Sequence, residues 1–468
     1  MQQFNLSNLQ KIYFIGIGGT SMSGLALMSQ SKGLEVCGSD MRAGSYTDKL
    51  IEKGVPVIIG HDPSNVPLDC DLVVYSAAIR PTNVEYIAAE KAGIPMMERS
   101  FYLGLISNMF PDTIAVSGTH GKTTTSSLCS LMLLRAGLDP SISIGGTLDQ
   151  IGGNYRVGDS NYFVIEACEF VDSFLHTTHN RAIILNIEED HLDYFTEGIE
   201  QIKSSFTKFA NILPEDGLLI ANIDDPQVVE ILPSIKCNRI ETFSISSEAT
   251  WTANNIVFDS LGKPKYDVHY NGEFYGSLEL NIPGVHNIMN SLSVVALGHD
   301  LGIPTQTIAE SFLEFYGAKR RFQFHGEPRG VKIFEDYAHH PTELQVTIAA
   351  CKNYEHEKLW VVFQPHTYSR TFFLFDGFVN ACAEADEVIF NDIYSDREAN
   401  DWNIYSEDVT EKVKEKYGVP ASVITEFEDI VSYLCENTKP GDLVLVAGSQ
   451  TINQVAVDLV KALGGKEN

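Results

Sequence analysis

The sequence is poor in basic residues: 33 lysines and arginines stand against 62 aspartates and glutamates, which gives a net charge of −29. A surface this acidic repels phosphate backbones and anionic lipid, so the charge argues against nucleic acid and membrane surfaces as partners. An anionic small molecule would need local cations, backbone N–H groups or a metal ion to overcome the same repulsion. Such groups are therefore the features that would mark a binding site.

Paired cysteines and long apolar runs are also missing, and we expect no leader. The eight cysteines form no CxxC pair and lie in apolar stretches, which is typical of reduced core thiols and not of a disulfide or zinc framework. No apolar run approaches the roughly 18 residues that a membrane-spanning helix needs. The first residues, MQQFNLSNLQK, lack the basic and apolar regions of a signal peptide. We therefore expect a cytoplasmic protein without membrane insertion.

The length and the pattern of apolar runs predict three α/β domains. At about 150 residues per domain, a chain of 468 residues corresponds to three domains. Three times along the chain, short apolar runs alternate with helical patterns, as in βαβ units with a parallel sheet. We predict a Rossmann-like N-terminal domain at 1–110, a central domain at 111–320 and a Rossmann-like C-terminal domain at 321–468. In the central domain, short strands over 251–283 predict a small antiparallel sheet beside the parallel one.

A phosphate-binding loop is predicted where the strand TIAVSG runs into GTHGKTTT and then into a strongly helical segment. Glycines let the backbone wrap a polyphosphate, the helix N-terminus directs amides at it, Lys122 adds a charge and Thr123 offers a hydroxyl to Mg²⁺. The spacing departs from GxxxxGK[ST], because Val116 occupies the first glycine position; a glycine turn with a surface lysine is the alternative. We predict a P-loop ATPase-like central domain, with these candidate phosphate-binding residues: Gly118, Thr119, His120, Gly121, Lys122, Thr123 and Thr124.

Two candidate metal ligands follow neighbouring strand patterns. Glu166 ends the run YFVIE, and His191 comes just after the run AIILNI. Carboxyl ends of parallel strands share one edge of a sheet, so both side chains are expected to approach the phosphate loop, where a carboxylate and an imidazole suit Mg²⁺. A role as ordinary loop residues is equally open for these two. We expect four neighbouring carboxylates to be solvated: Glu169, Glu188, Glu189 and Asp193.

The first glycine loop also predicts a phosphate-bearing ligand. KIYFIGIGGTSMSG follows a strand pattern, and Ser39 and Asp40 end the next strand pattern about twenty residues later. A GxGxxG signature would need glycine at position 21, where Ser21 stands, so the signature is incomplete. A dinucleotide, another nucleotide diphosphate such as a UDP-sugar, and a tight turn without a ligand all remain open from these residues.

Ten motifs resemble, in this order along the chain, those of the Mur ligases: FIGIGGTSMSGLA, GSD, VYSAAI, SGTHGKTTTSSL, EACEFVDSF, NIEEDHLDYF, PGVHNIMNSL, AKRRFQ, DYAHHPTE and FQPHTYSRT. The match extends over nearly the whole chain, and motifs of this length are highly specific. It is closest to the family members that join L-alanine to UDP-N-acetylmuramate.

The resemblance implies an ATP-dependent amide ligase of peptidoglycan synthesis that joins L-alanine to the lactyl carboxylate of UDP-N-acetylmuramate. It implies that the first domain binds the UDP-sugar, the central domain ATP and Mg²⁺, and the third domain the amino acid. In the family mechanism the carboxylate takes the γ-phosphate, and the amine attacks the resulting acyl phosphate with release of ADP and phosphate. This order is chemically sensible, because a carboxylate is inert to amines at pH 7 until its oxygen becomes part of a phosphate leaving group.

The resemblance also implies roles for particular residues. Lys122 matches the lysine that contacts the γ-phosphate, and Thr123, Glu166 and His191 match metal ligands. The implied catalytic residues are Lys122, Glu166, His191 and Arg321. Further implied ATP contacts are His286, Asn287, Asn290, Arg321 and Asp336. The implied UDP-sugar contacts are Gly16, Gly18, Gly19, Ser21, Ser39, Asp40 and Ser76. The implied amino-acid contacts are His339, His340, Tyr368 and Arg370, of which His340 and Tyr368 are equally explained as packing residues.

Two departures from the family pattern affect these expectations. Thr367 stands where members often carry arginine, which leaves Arg370 as the clearer partner for the amino-acid carboxylate. The segment Ala447–Thr451 replaces a glycine-rich loop, so it is expected to bind differently or only to pack.

Three alternatives remain: a ligase that recycles a murein tripeptide, an NAD-dependent dehydrogenase and a non-catalytic nucleotide switch. We expect small-molecule substrates and a monomer or homodimer.

Overall fold

A computed structural model of the chain describes residues 6–259, 261–395 and 398–465. It contains three β-sheets of five, ten and six strands, each built from its own stretch of the chain. Each sheet belongs to one α/β domain, and we refer to the N-terminal, central and C-terminal domains. The three-domain α/β architecture predicted from the sequence is confirmed.

The N-terminal domain has a sheet of five parallel strands. Its strands are β1 (Lys11–Ile15), β2 (Glu35–Asp40), β3 (Val57–Ile59), β4 (Leu72–Tyr75) and β5 (Met96–Glu98), and its helices are α1 (Thr20–Ser31), α2 (Ser45–Glu52), α3 (Val84–Ala92) and α4 (Arg99–Ser107). The strand order is β3-β2-β1-β4-β5, so the change of direction falls between β1 and β4. Ligands bind at the carboxyl ends of strands at such a point.

The central domain carries the largest sheet. Its strands are β6 (Asp112–Ser117), β7 (Ser141–Leu148), β8 (Gly153–Arg156), β9 (Tyr162–Glu166), β10 (Arg181–Ile184), β11 (Leu218–Asn222), β12 (Arg239–Ser244), β13 (Trp251–Phe258), β14 (Pro264–Tyr270) and β15 (Glu273–Glu279). Its helices are α5 (Lys122–Arg135), α6 (Ile199–Ala210), α7 (Pro226–Ile231), α8 (Val285–Asp300) and α9 (Thr305–Leu313). The strand order is β15-β14-β13-β12-β11-β10-β6-β9-β7-β8.

The antiparallel strands of the central domain continue the parallel sheet. β13 pairs in parallel with β12 through Phe243 and Trp251, and β14 and β15 then add antiparallel strands to it. The central sheet is therefore mixed: β14 and β15 are added antiparallel at one end, and β8 pairs antiparallel with β7 at the other. Trp251 is fully buried there, which fixes the junction by apolar packing.

The C-terminal domain has a six-stranded sheet that is parallel except at one edge. Its strands are β16 (Gln323–Gly326), β17 (Lys332–Asp336), β18 (Leu359–Phe363), β19 (Glu387–Phe390), β20 (Ala421–Val423) and β21 (Leu443–Ala447). Its helices are α10 (Pro341–Cys351), α11 (Tyr368–Phe373), α12 (Phe375–Ala381), α13 (Ser406–Tyr417), α14 (Phe427–Asn437) and α15 (Asn453–Ala462). The order is β16-β17-β21-β18-β19-β20, and β16 pairs antiparallel with β17.

Local chemistry explains where the elements begin and end. The central strands β6 and β10 are apolar and fully buried in their middle residues, as expected for a sheet covered on both faces. Asn83 caps α3 by accepting the N–H groups of Glu85 and Tyr86, and Gly93 ends that helix in the left-handed region. Among the described helices, none is long and apolar enough to cross a membrane.

Candidate active site

Three adjacent strands bring the phosphate loop, Glu166 and His191 to one edge of the central sheet. β6 lies between β9 and β10, with Val116 opposite Glu166 and Ser117 opposite Ile184. The phosphate loop 118–121 follows β6, Glu166 is the last residue of β9, and His191 follows β10. Because the three strands are parallel, all three segments leave the sheet at the same edge.

The phosphate loop has a conformation that requires its glycines. Gly118 and Gly121 have φ angles of 147° and 81°, in the region that favours glycine. A Cβ atom at Gly121 would lie 2.7 Å from Oδ1 of Asn290. Asn186, after β10, accepts the His120 N–H at 2.7 Å and donates to the His120 carbonyl at 3.2 Å. The loop is thus fixed from both sides, with the N-terminus of α5 directly behind it.

Lys122, the first residue of α5, folds back over this loop. Its Nζ donates to the carbonyls of Gly118 and Thr119 at 2.5 and 2.9 Å and pairs with Glu169 at 2.9 Å. Burial alone would lower the pKa of Lys122, but the surrounding negative charges, that of Glu169 above all, leave it above its ordinary value. The lysine is therefore fully charged at neutral pH and directed into the loop.

The expectation that Glu169 is a solvated carboxylate is wrong. Its side chain is only 4% exposed and is paired with Lys122. The chain reverses just after it, because Val171 and Asp172 adopt left-handed φ angles of 48° and 57°, and this turn keeps Glu169 inside. Local polarity could not reveal this pairing, because the two partners are 47 residues apart in the sequence.

Glu166 and Thr123 lie against two glycines of β7 that sequence reasoning did not identify. Oε2 of Glu166 accepts the Gly145 N–H at 2.8 Å, and a Cβ atom at Gly145 would lie 2.5 Å from Oε1 of Glu166. A Cβ atom at Gly146 would lie 2.8 Å from Cγ2 of Thr123. The two glycines therefore make room for the Glu166 carboxylate and for the methyl group of Thr123, a residue that also carries a hydroxyl, beside the phosphate loop. Such a pair of hard oxygen donors fits Mg²⁺.

His191 shares the surroundings of Lys122. Its Nε2 is 3.7 Å from Oδ2 of Asp190, and its ring lies 4.6 Å from that of Phe170. Its φ angle of 53° is unusual for a residue other than glycine. Burial and the nearby cations Arg370 and Lys122 lower the pKa of His191. The imidazole is therefore neutral near pH 7, the form that can ligate a metal.

Arg370 lies at the junction of the central and C-terminal domains. Its guanidinium makes a buried pair with Asp190, with Nε and Nη2 at 2.8 and 3.2 Å from the two carboxylate oxygens. Its Nη1 lies 2.9 Å from Nδ1 of His366. Asp190 belongs to the loop after β10, so this pair connects the metal-ligand segment to the C-terminal domain.

The N-terminus of α8 lies behind the phosphate loop. Asn290 contacts Gly121 and donates to Oδ1 of Asn287 at 3.2 Å, and Asn287 donates to the Pro283 carbonyl at 2.7 Å. Both asparagines are buried, whereas His286 is exposed at the start of the helix. These three implied ATP contacts thus lie at the helix end next to the phosphate loop, and the His286 side chain is open to solvent.

The linker between the central and C-terminal domains is held by adjacent arginines. Arg320 pairs with Glu335 at 2.6 Å, and its Nη2 donates to the carbonyls of Gly448 and Gln450 at 2.9 and 2.7 Å. The segment Ala447–Thr451 therefore packs on the linker. Both guanidiniums lie over the ring of Tyr337, that of Arg321 at 5.0 Å.

Asp336 and Arg321 lie close to each other beside this linker. Asp336 accepts the backbone N–H groups of Phe322 and Ala338, each at 2.7 Å. Burial raises the pKa of Asp336 to about 6, against the opposing charge of Arg321. The Arg321 guanidinium lies 3.5 Å from Glu343, which sequence reasoning also missed.

The histidines of the C-terminal domain precede α10. Burial lowers the pKa of His339 to about 4, and its Nδ1 lies 3.0 Å from the Tyr337 carbonyl. His340 caps α10, and its Nε2 lies 3.1 Å from the Glu189 carbonyl of the central domain. Tyr368 is half-buried at the start of α11, after Thr367, whose φ angle is 67°. These residues lie on the side of the domain that faces the central sheet.

His120 of the phosphate loop lies between two carboxylates. Its Nδ1 is 3.4 Å from Glu343 and its Nε2 is 3.6 Å from Glu188. Burial alone would lower the pKa of His120, but the two carboxylates together raise it to about 9. Glu343 thus contacts both the phosphate loop and Arg321, although it belongs to the C-terminal domain.

In the N-terminal domain, the glycine loop and the end of β2 meet. Gly16 has a φ angle of 77°, and the Gly18 N–H donates to Oδ2 of Asp40 at 2.8 Å. Gly19 precedes α1, and Ser76 follows β4, close to Gly16. These residues surround the carboxyl edge of the sheet at its change of direction.

Two other residues of this edge have partners within the protein. The Ser39 hydroxyl donates to buried Glu85, and the Ser21 hydroxyl accepts from Arg99 at 3.3 Å. Arg99 is a cation at this edge that sequence reasoning missed, because it lies 78 residues beyond Ser21.

Family models match the three domains in order. The Mur ligase family catalytic domain matches residues 11–111, the Mur ligase middle domain residues 116–298, and the Mur ligase glutamate ligase domain residues 320–450. The chain is 44% identical to the UDP-N-acetylmuramate–L-alanine ligase of Acetivibrio thermocellus over 98% of each chain. It is 44% identical to that of Alkaliphilus metalliredigens over 97% of this chain and 98% of the relative.

Solved structures give the same result. The UDP-N-acetylmuramate-alanine ligase of Thermotoga maritima superposes with a TM-score of 0.81 and 27% identity, covering 97% of this chain and 98% of that one. The murein peptide ligase of Psychrobacter arcticus shares the fold, with a TM-score of 0.74 and 24% identity over 98% of this chain and 100% of that one.

Fold and site together define a three-domain α/β protein with a nucleotide-phosphate loop at the edge of its central sheet. The chain belongs to the Mur ligase family. Members of this family are ATP-dependent ligases, which confirms the enzyme class and the use of ATP predicted from the sequence. A dehydrogenase and a non-catalytic switch do not fit this membership.

Proposed function

We propose that the protein joins L-alanine to the lactyl carboxylate of UDP-N-acetylmuramate, with conversion of ATP to ADP and phosphate, in peptidoglycan synthesis. The observation that carries this proposal is the 44% identity to UDP-N-acetylmuramate–L-alanine ligases over 98% of both chains. The arrangement of Lys122, Glu166 and His191 at one sheet edge, facing the C-terminal domain, supports the same chemistry.

Lys122 is proposed to stabilise the transferring phosphoryl group. The lactyl carboxylate attacks the γ-phosphate of ATP, and the amine then displaces phosphate from the acyl phosphate. Charge develops on the phosphoryl oxygens during the transfer, and a fixed cation there lowers the barrier. Lys122 is charged and already directed into the loop by Glu169.

Thr123, Glu166 and His191 would hold Mg²⁺. Gly145 and Gly146 make room beside the phosphate loop for Glu166 and Thr123, whose oxygen atoms are the kind of ligand that such an ion prefers. When bound, Mg²⁺ neutralises phosphate charge and polarises the phosphoryl group. On the protein side, Gly145 orients Glu166 through its N–H, and burial keeps the His191 imidazole neutral.

The amino acid is proposed to bind where the central and C-terminal domains meet. A cavity of only about 30 Å³ there is lined by residues that include Asp190, His191, Thr367 and Arg370. This volume holds about one water molecule and not an amino acid. Arg370 must therefore release Asp190, or share it, before it can pair with the carboxylate of alanine.

The UDP-sugar is proposed to bind at the glycine-loop edge of the N-terminal domain. Gly16, Gly18 and Gly19 allow close approach of a diphosphate, and Arg99 supplies a cation beside Ser21. We also propose a cytoplasmic location, since ATP and UDP-sugars are cytoplasmic metabolites. The protein is proposed to be a monomer or a homodimer.

Phosphate release tests the proposal directly. ATP, Mg²⁺ and UDP-N-acetylmuramate are held constant, and the acceptors L-alanine, glycine, L-serine and L-Ala-γ-D-Glu-meso-diaminopimelate are compared. We expect the fastest release with L-alanine; a methyl group against hydrogen is worth about 1–3 kcal/mol in such a pocket. Release only with the tripeptide would instead assign the chain to the recycling ligases, whose fold it shares. No release with any acceptor would refute both activities.

A further inference from the structure

Three side chains at the junction of the central and C-terminal domains have the composition of a transition-metal site. His120 comes from the phosphate loop, Glu188 from the segment after β10, and His340 from the residue before α10. One potential ligand atom of each lies within 4.8 Å of those of the other two. Two ligands on one ion at bond lengths of about 2.0–2.2 Å lie at most about 4.4 Å apart, so a small inward movement of these side chains would bring all three atoms within reach of one ion.

The nitrogen that His120 presents to Glu188 is buried and unsatisfied. Among the described residues, its Nε2 has no hydrogen-bond partner, and Oε2 of Glu188 lies 3.6 Å away. A buried polar atom without a partner costs free energy, and a cation that displaced the Nε2 proton and lay between the two groups would satisfy both. The other ring nitrogen of His120 faces Glu343 at 3.4 Å. A carboxylate behind a ligating imidazole is the usual arrangement that orients it on a metal.

Hydrogen bonds to residues outside the cluster also orient the side chains of His340 and Glu188. Nε2 of His340 lies 3.1 Å from the Glu189 carbonyl, which requires a proton on Nε2 and leaves the lone pair on Nδ1. That lone pair accepts the Thr342 N–H at 3.3 Å. The Thr342 hydroxyl donates to Oε2 of Glu188 at 2.6 Å. Glu188 therefore has a lone pair available for an ion, and on His340 an ion would replace the long contact from the Thr342 N–H at Nδ1.

We propose that His120, Glu188 and His340 bind a zinc-like divalent cation, at a site separate from the one proposed for Mg²⁺. Two imidazoles and one carboxylate form a ligand set preferred by Zn²⁺, Co²⁺ and similar ions, whereas Mg²⁺ prefers oxygen ligands alone. Two ligands belong to the central domain and one to the C-terminal domain, so the ion stabilises the docked arrangement of these domains.

Cobalt binding to the full chain tests this site. The experiment uses the Glu166→Gln protein without ATP, which removes the carboxylate of the proposed Mg²⁺ site. Equilibrium dialysis gives the stoichiometry, and the visible absorption of Co²⁺ reports its coordination. We expect one bound ion that Zn²⁺ displaces. Addition of Glu188→Gln should weaken binding by about tenfold or more.

The matched control is Glu189→Gln, at the neighbouring exposed carboxylate, which should leave the affinity unchanged. Equal affinity in the Glu188→Gln and Glu189→Gln proteins would overturn the proposal. A thiolate-to-cobalt charge-transfer band would place the ion on a cysteine and overturn it as well. Circular dichroism checks the fold; if Glu188→Gln does not fold, His340→Gln is judged by the same affinity criterion.

Discussion

At the scale of single residues, Lys122 is charged and positioned before any phosphate arrives. Its ammonium group is held by Glu169 and by the carbonyls of Gly118 and Thr119. A phosphate oxygen is also a charge-assisted acceptor and can replace one of these partners without a large movement of the lysine. The Glu169 carboxylate thus takes the place of a phosphate oxygen as the acceptor for Lys122 and holds the lysine in position.

Lys122→Ala should reduce turnover by a factor on the order of 10² or more, because it removes a fixed cation from the transferring phosphoryl group. The measurement is kcat for phosphate release at saturating ATP, UDP-N-acetylmuramate and L-alanine. Lys352→Ala is the control, since Lys352 is half exposed and pairs with Glu384 on the surface at 3.0 Å. A near-normal kcat for Lys122→Ala would remove this lysine from the mechanism.

His179 should make the protein sensitive to acid. Burial lowers its pKa from 6.5 to about 4, and its ring packs against Phe209. In the unfolded chain His179 is therefore protonated below about pH 6.5, whereas in the folded chain it stays neutral until about pH 4. The free energy of unfolding should fall over this interval by about 3 kcal/mol.

In His179→Leu this contribution is absent, so the variant should gain stability relative to the parent as the pH is lowered from 7 to 4. Urea unfolding at a series of pH values measures the difference. His269→Gln, on the half-buried surface of β14, should follow the parent curve. Parallel curves for His179→Leu and the parent would contradict the prediction.

At the scale of elements, the glycines of β7 set the distance between that strand and the ligands on β9 and α5. Gly145→Ala would put a Cβ atom 2.5 Å from Oε1 of Glu166 and displace this carboxylate. Because a shift of about 1 Å at a reacting centre costs up to about 10²-fold, we expect kcat to fall at least about tenfold. The melting temperature should change much less.

Gly44→Ala is a suitable control for this substitution. Gly44 precedes α2, its φ angle is −172°, and apart from its chain neighbours no described residue has an atom within 4 Å of a Cβ placed there. Its kcat should stay at the parent value. If Gly145→Ala also kept the parent kcat, the position of Glu166 would not depend on β7.

The elements of the site were predictable where adjacent residues determine the local structure. The contacts between distant elements were not predictable. The strand, glycine loop and helix around Lys122 follow from adjacent residues, and so does the position of Glu166 at a strand end. The partners Glu169 and Gly145 were missed, because their contacts join segments 47 and 21 residues apart. The three-residue strand β5 was missed as well, since Met96–Glu98 is only half-buried and carries no clear alternation.

At the scale of the whole molecule, the buried pair of Asp190 and Arg370 holds the C-terminal domain against the central domain. Asp190→Asn leaves a buried guanidinium without its charge partner, a change that typically costs about 3–5 kcal/mol. The free protein should therefore open about the linker at Arg320 and show a larger radius of gyration by small-angle scattering. An ATP analogue with UDP-N-acetylmuramate should restore the compact profile.

Glu310→Gln is the control for this prediction, because it removes an exposed ion pair with Arg135 inside the central domain. Its scattering profile should match that of the parent. A parent-like profile for Asp190→Asn would show that other contacts, such as those of Glu343, suffice to hold the domains together.

Each of the three sheets takes all its strands from one uninterrupted segment of the chain: β1 to β5, β6 to β15, and β16 to β21. During synthesis on the ribosome, the N-terminal sheet has all its strands before the first strand of the central sheet emerges. The central sheet, by contrast, is complete only after its last strands, β13 to β15, have been synthesised. Domains generally fold as units in the order of synthesis, so the nascent chain should be most exposed to aggregation while residues 112–279 are being added.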